Sequence, residues 1–316
     1  PPGDALRALQ ADAELRPRDA APVLRATAQV AEGQIHGAPF RALDAELTAT
    51  LDQVTVTRLA AAAFGGTVSG GGSCRGLRAA ALDCSAQGSV ADLRIAPLLA
   101  SQRAAGAAKL DGVVTADGRG SASGRDAPAL LASLRASGRV RVADGVLRHV
   151  NLAQQMVGAL PGASALVSGP RVNALLGSSE TRFDSLAATV QLAAQRATTT
   201  DAQIRAADFG ATLQGSATLA GRLDGHGTFT LSPALAREVV GRIPILARLT
   251  NDGGMTLPYT LSGTLDDPRV RPDAGALPKA LERGLSGGVE ALLDTPGATE
   301  KAGKRVLRDL NNLLRR

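Results

Sequence analysis

Short segments with alternating apolar and polar residues dominate the chain. In "MTLPYTLSGTL", apolar residues or glycine hold every second position from Met255 to Leu265, and mostly threonine and serine lie between them. In "FRALDAELTATL", which begins at Phe40, leucine and alanine alternate with acidic residues and threonine. A period of two is typical of strands that have one apolar face and one solvated face.

The strands come in runs, and short helical segments interrupt them. Asp126 and Asn151 are predicted to cap two of these helices, and Pro233 is predicted to begin a third. The pair Asp144-Gly145 predicts a tight hairpin turn. This order favours a β-rich α+β fold, an antiparallel meander rather than a βαβ repeat. A sheet of this length must curl, stack or close to hide its apolar face.

Three regions are predicted along the chain. Residues 1–39 hold strands broken by proline that continue an upstream region, and residues 40–273 form the β-rich domain. Residues 274–316 change to amphipathic helical periodicity, and the last helix either docks on the domain or lies on a membrane surface. The basic candidates for contact with a membrane surface are Lys301, Lys304, Arg305, Arg308, Arg315 and Arg316.

Composition changes this picture in one respect. The 316 residues include no Trp, one Tyr and five Phe, so alanine, leucine and valine carry most of the hydrophobicity. The strands therefore contain few bulky residues for a sandwich core. A sheet that is bent around a fluid filler does not need interlocking side chains of its own.

The net charge of +6 invites a nucleic-acid hypothesis, which the pattern of basic residues disfavours. Basic residues are scattered singly, typically on the wet side of strands, as Arg139 and Arg141 are. Single-strand binders use aromatic stacking platforms, which this chain largely lacks. We expect no nucleic-acid partner and a mildly cationic surface that can attract anionic lipid headgroups.

The two cysteines, Cys74 and Cys84, flank a predicted hairpin centred near Ala79. Such a hairpin would place them opposite each other, within disulfide reach, and the alternative is two small buried thiols. A disulfide would favour an oxidising compartment such as a periplasm.

Motifs for catalysis or for metal binding are not found in the sequence. "GRGSASG" lacks the strand and helix of a nucleophile elbow, and "SGGGSCRG" lacks the Lys-Ser/Thr ending of a phosphate-binding loop. His36, His149 and His226 lie far apart in sequence, and no CxxC pattern is present. We expect no enzyme activity, no catalytic residue, no metal and no cofactor.

Several segments, taken in order, resemble the C-terminal region of the AsmA-like family of bacterial envelope proteins, which includes the TamB type. Phe64-Gly65-Gly66 stands where that family usually has an aromatic residue before two glycines. The resemblance extends over roughly Gln34 to Asp273. Its other segments are "SGRVRVADGVLRHVNL", "ETRFDSLAATVQLAAQ" with the sequence up to "GTFTLSP", and the closing "LPYTLSGTLDDPRVRPD".

The resemblance implies a long curled sheet whose concave face is an elongated apolar groove. It also implies a periplasmic protein that an N-terminal helix, not included in this sequence, anchors in the inner membrane. The implied function is transport of phospholipid towards the outer membrane, with acyl chains in the groove. The predicted groove residues are Val140, Val142, Leu213, Leu219, Phe229, Leu231, Leu257, Tyr259, Leu261 and Leu265.

Another class of function remains open at this point. An open sheet edge could pair with strands of outer-membrane proteins, and the chain would then be a structural assembly factor whose partners are assembly proteins. An ordinary closed β domain with a solid core is a third possibility.

Overall fold

The computed structural model describes residues 5–16, 23–35, 37–102, 110–158, 170–240, 250–251 and 254–273. The first strands and helices are β1 (Ala5–Arg16), β2 (Val23–Ile35), β3 (Ala38–Ala49), β4 (Gln53–Ala63), β5 (Gly66–Arg75), β6 (Leu82–Arg94), α1 (Ile95–Gln102), β7 (Leu110–Gly124), α2 (Ala127–Ser133) and β8 (Arg135–Arg148). They are followed by α3 (Leu152–Val157), α4 (Pro170–Gly177), β9 (Glu180–Ala193), β10 (Arg196–Arg205), β11 (Phe209–Thr218), β12 (Leu223–Leu231), α5 (Pro233–Val240), β13 (Thr250–Asn251), β14 (Gly254–Gly263) and β15 (Pro268–Pro272).

All the described strands belong to one antiparallel sheet. Strands β1 to β12 lie in chain order, β14 pairs with β12, and both β13 and β15 pair with the far side of β14. The prediction of a β-rich, curled antiparallel meander with short helices is confirmed. The sheet continues without a break across residue 40, and the predicted helices of residues 274–316 lie outside the described residues.

The register aligns the apolar positions of neighbouring strands on one face. Directly paired residues of an antiparallel sheet point to the same side. One apolar row crosses twelve strands through Ala13, Ala26, Leu47, Val56, Gly72, Ala86, Gly120, Ala136, Leu192, Ala197, Ala217 and Leu223. An adjacent row on the opposite face reads Glu14, Arg25, Thr48, Thr55, Ser73, Ser85, Ser121 and Arg135.

The predicted hairpin turn at Asp144-Gly145 is wrong. Strand β8 runs through this pair, and Asp144 adopts a φ of 50° at an irregularity in its pairing with β7. Gly145 is required for packing, because a Cβ atom there would overlap the ring of Phe183 on β9. Gly145 is therefore needed for a cross-strand contact with Phe183. The local sequence Asp-Gly does not distinguish this role from that of a hairpin turn.

The main core lies at the C-terminal end of the sheet, where α3, α4 and α5 cover the apolar face of β11, β12, β14 and β15. Its buried members are Ala153, Met156, Val157, Val172, Phe209, Ala211, Phe229, Leu231, Leu235, Ala236, Met255, Leu257, Tyr259 and Val270. A smaller cluster joins Ile95 at the start of α1 to Val142 and Phe183.

Caps and one polar network hold the helices in place. Asp126 caps α2 and Asn151 caps α3, as predicted, and α5 begins at Pro233. The Asn151 side-chain amide also donates to the carbonyls of Leu175 and Ser178, both at 2.7 Å, so it ties α3 to the end of α4. Both the amide nitrogen and the oxygen of this buried side chain are hydrogen-bonded, and these bonds fix the two helices over the sheet.

Candidate functional site

An open trough occupies the apolar face between β4 and β9, outside the region that α3, α4 and α5 cover. Its volume is about 860 Å³. Six strands contribute to it, so it extends roughly 24 Å across the sheet at the usual strand spacing. The apolar side chains in its lining are Val54, Val56, Leu59, Ala86, Ala122, Leu134, Ala136, Val190 and Leu192.

Glycines form the middle of the trough floor. Gly70, Gly88, Gly118 and Gly138 face one another in sequence across β5, β6, β7 and β8. A Cβ atom on Gly70 would lie 2.7 Å from the carbonyl oxygen of Gln87, closer than real side chains approach backbone. The glycines thus allow close backbone approach and leave the floor free of side chains.

A disulfide lies on the same face. Cys74 and Cys84 are directly opposite each other on β5 and β6, their sulfur atoms are bonded, and both residues line the trough. The bond joins the two strands next to the turn that connects them. Cystine is apolar enough to continue the lining, and it covalently closes the end of this hairpin.

Half of the predicted groove residues are core residues instead. Phe229, Leu231, Leu257 and Tyr259 are buried by the three helices, and Val142 is buried against Ile95 and Phe183. The expectation that they line an open groove is therefore corrected, because protein side chains already fill the face in front of them. The two-residue period identified the correct face of these strands but carried no information about what covers it.

Tyr259 illustrates how closely this core is packed. Its hydroxyl donates to the carbonyl of Thr212 on β11 at 2.8 Å, crossing Gly227 of β12, where a Cβ atom would overlap that same carbonyl. Burial raises the pKa of Tyr259 to about 12 from its ordinary value of 10.0. Beside it, the rings of Phe209 and Phe229 stack with centroids 5.1 Å apart.

The remaining predicted groove residues have other positions. Val140, Leu213 and Leu261 are half-buried on the apolar face, and the latter two pack against the main core. Leu219 and Leu265 were also predicted to line the groove, which is wrong. Both lie in hairpin turns and are exposed, because the chain has left the strand before it reaches them.

The trough lining between β4 and β9 was missed in the sequence. None of the predicted groove residues lies in this lining, because much of it consists of glycine, alanine and serine, which give no strong apolar alternation. The detectable signal was the alternation of glycine or alanine with serine in consecutive segments, such as "GTVSGGGSC" and "DGRGSASG". Such segments are strands whose apolar face is nearly bare.

Other predicted features can be located only in part. Lys301, Lys304, Arg305, Arg308, Arg315 and Arg316 lie outside the described residues. Within the described ranges, no helix is long and apolar enough to cross a bilayer. The same ranges bring together no group of three His, Cys, Asp or Glu side chains suited to hold a metal ion.

The fold and the trough define the class of protein: an antiparallel meander with one continuous apolar face, which α3, α4 and α5 fill at its C-terminal end and which borders an open trough between β4 and β9. Comparisons with protein-family models, with curated proteins and with solved structures found no match to the chain. Membership of the AsmA-like family therefore stays a prediction from the sequence motifs.

Proposed function

We propose that the chain binds phospholipid acyl chains in the trough between β4 and β9 and conducts them, without enzymatic chemistry, between the membranes of a bacterial envelope. The observation that carries the proposal is the trough itself, an apolar surface of six strands with a volume of about 860 Å³ that α3, α4 and α5 leave uncovered. Concave and predominantly apolar pockets of about 300–1,000 Å³ are the usual form of a ligand-binding site in a protein.

The shape and chemistry of the lining suit an acyl chain. A hydrocarbon core of about 30 Å gives each leaflet a depth of about 15 Å, which fits within the roughly 24 Å length of the trough. Each methylene that leaves water contributes about 0.8 kcal/mol. A flexible chain can follow a bare glycine floor, and it needs no polar partner there.

The proposed compartment is the periplasm. The Cys74–Cys84 disulfide favours an oxidising compartment, and the motif resemblance points to the AsmA-like proteins of the bacterial envelope. An inner-membrane anchor upstream of this sequence and the direction of transport towards the outer membrane belong to the same proposal.

The alternative function, assembly of outer-membrane proteins, depends on an edge strand. Within the described residues, β1 pairs with β2 alone, so its second edge is available for strand addition. Capture of an unfolded β-barrel protein by a preparation free of lipid would favour this alternative over lipid transport.

A charge in the trough tests the lipid proposal. Leu192 lines the trough on β9, whereas its neighbour Gln191 projects from the opposite, exposed face. In Leu192→Asp the new carboxylate stays hydrated in the open trough, so we expect a folded protein. The purified variant should carry at least severalfold less phospholipid than the unmodified chain, measured by native mass spectrometry and by phosphate in organic extracts.

Two further variants control this experiment. Gln191→Asp should keep both its fold and its lipid. Leu257→Asp places the same charge in the buried core and should lose several kcal/mol of unfolding free energy. A folded Leu192→Asp protein that carries as much phospholipid as the unmodified chain would refute the proposal.

A further inference from the structure

Exposed leucines recur at the turns along one end of the strands. Leu51 lies in the β3–β4 turn, Leu77 in the β5–β6 turn and Leu131 in α2, which connects β7 to β8. Leu219 lies in the β11–β12 turn and Leu265 in the β14–β15 turn. Because alternate connections of a meander lie at the same end of the strands, these five residues share one border of the sheet, here called the leucine rim.

The side chains of the leucine rim are unusually open to solvent. Their exposed fractions are 56% for Leu51, 44% for Leu77, 56% for Leu131, 57% for Leu219 and 45% for Leu265. Toward the opposite end of the strands, the large apolar side chains with comparable exposure among the described residues are Leu6, Leu9 and Ile35. Exposed leucines in five connections at one end of the strands define the leucine rim as a surface of the described residues.

Hydrogen bonds between successive turns hold the backbone of the leucine rim. The amide of Leu77 donates to the carbonyl of Asp52 in the preceding turn at 3.1 Å. The amide of Leu219 donates to Gln195 at 2.9 Å, and the amide of Leu265 donates to Gly221 at 2.9 Å. Three leucines therefore use their amides to join one turn to the next while their side chains remain exposed.

We infer that the leucine rim is a membrane-contacting surface that inserts its side chains into the interface of a phospholipid bilayer. The proposal goes beyond lipid binding in the trough, since the rim can contact a bilayer whether or not the trough holds lipid.

A bilayer fits the leucine rim better than a protein partner does. Energetically dominant residues of protein interfaces are enriched in Trp, Tyr and Arg, and leucine is under-represented among them. Turns at the same end lie two strands apart, about 10 Å, so their leucines form a spaced line rather than a contiguous patch. Arg78 follows Leu77, Arg222 lies three residues after Leu219, and Asp266 follows Leu265. These charged side chains can stay hydrated among the headgroups.

The rim also borders the trough. Cys74 and Cys84 adjoin the β5–β6 turn, and Leu134 follows α2 directly, so the trough lining reaches the strand ends that carry the leucines. A rim seated on a bilayer would give acyl chains a short sideways path into the trough. This last step rests on the proposed function, whereas the membrane contact itself does not.

Vesicle sedimentation tests the rim with a triple variant, Leu77→Ser, Leu219→Ser and Leu265→Ser. The probe is vesicles of phosphatidylethanolamine and phosphatidylglycerol in about 1 M salt, where a Debye length of about 3 Å suppresses attraction by exposed basic residues. Half-exposed leucines should each contribute about fivefold to the partition coefficient, so the triple variant should bind roughly a hundredfold more weakly. The matched control, Leu6→Ser with Ile35→Ser, should bind as the unmodified chain does.

A tryptophan probe gives a second measurement that does not depend on weakened binding. The chain contains no Trp, so Leu219→Trp or Ile35→Trp introduces a single reporter. Brominated phospholipid should quench the emission of the Leu219→Trp protein and leave that of the Ile35→Trp protein unchanged.

Three results would overturn the inference. The first is equal quenching of the two tryptophan variants, and the second is unchanged vesicle binding by the triple variant. The third is a dimer that light scattering detects in the unmodified chain and not in the triple variant, because the rim would then be a contact between copies. The amount of phospholipid that co-purifies with the triple variant measures lipid binding in the trough separately. An error in the rim inference and an error in the proposed function therefore give different outcomes.

Discussion

Single residues on the apolar face of the sheet differ in what they contact. Leu257 packs against protein and has no exposed surface, whereas Leu192 lines an open trough. The two residues have the same side chain and the same position in the alternation of their strands. Their difference arises from helices that are distant in sequence. A charge should therefore cost several kcal/mol of unfolding free energy at Leu257 and much less at Leu192.

Tyr259 provides a test of the closed part of the apolar face. Tyr259→Phe keeps the ring and removes the hydrogen bond to the carbonyl of Thr212, so the free energy of unfolding should fall by about 1 kcal/mol at neutral pH. The pKa of Tyr259 is raised from 10.0 to about 12 by burial, so its phenol stays protonated in the folded chain while the unfolded chain ionises. The stability from the protonated phenol is thus complete below pH 10 and is lost as the pH rises towards 12.

Urea unfolding of both proteins checks this prediction. At about pH 11 the unmodified chain should have lost roughly 1 kcal/mol relative to Tyr259→Phe, which has no phenol to ionise. A difference between the two proteins that does not change between neutral pH and pH 11 would mean that the hydroxyl is not buried.

At the scale of elements, the sequence predicts strands better than it predicts their connections. Alternation in "FRALDAELTATL" identifies β3 and its apolar face, and Asp126 and Asn151 identify the starts of two helices, because these signals are local. Asp144-Gly145 misleads, since a ring from β9 requires that glycine. The choice between core and trough likewise depends on which strands α3 to α5 cover, and no local pattern encodes it.

The β5–β6 hairpin yields a prediction about its disulfide. Cys74 and Cys84 are ten residues apart, and closing such a short loop contributes about 2–3 kcal/mol in the chain-entropy model. Reduction, or replacement of both cysteines by serine, should lower the free energy of unfolding by that amount, measured in urea. Reductant should have no effect on the double-serine variant. Two free thiols counted in denaturant without reductant, in protein matured in an oxidising compartment, would contradict the prediction.

At the scale of the whole molecule, the apolar face has a part that α3 to α5 fill and a part that borders the trough, beside the small cluster of Ile95, Val142 and Phe183. Over β11 to β15 the helices α3, α4 and α5 bury it in a packed core. Over β4 to β9 it borders the trough, where the glycine row supplies backbone hydrogen bonds and no side chains. Cooperative stability follows buried apolar contact, so the two parts of one continuous sheet should open with different free energies.

Hydrogen exchange measured by mass spectrometry tests this division. Amides of β12 and β14 should exchange slowest, since opening these strands exposes the main core, and amides of β5 to β8 should exchange faster. A ligand that binds only the folded chain stabilises the part it contacts. Added phospholipid should therefore slow exchange in β5 to β8 severalfold and leave β14 unchanged, and Leu192→Asp should remove that response. Equal protection of all strands without lipid, or a lipid response confined to β14, would mean that the sheet is not divided into a packed core and an open trough.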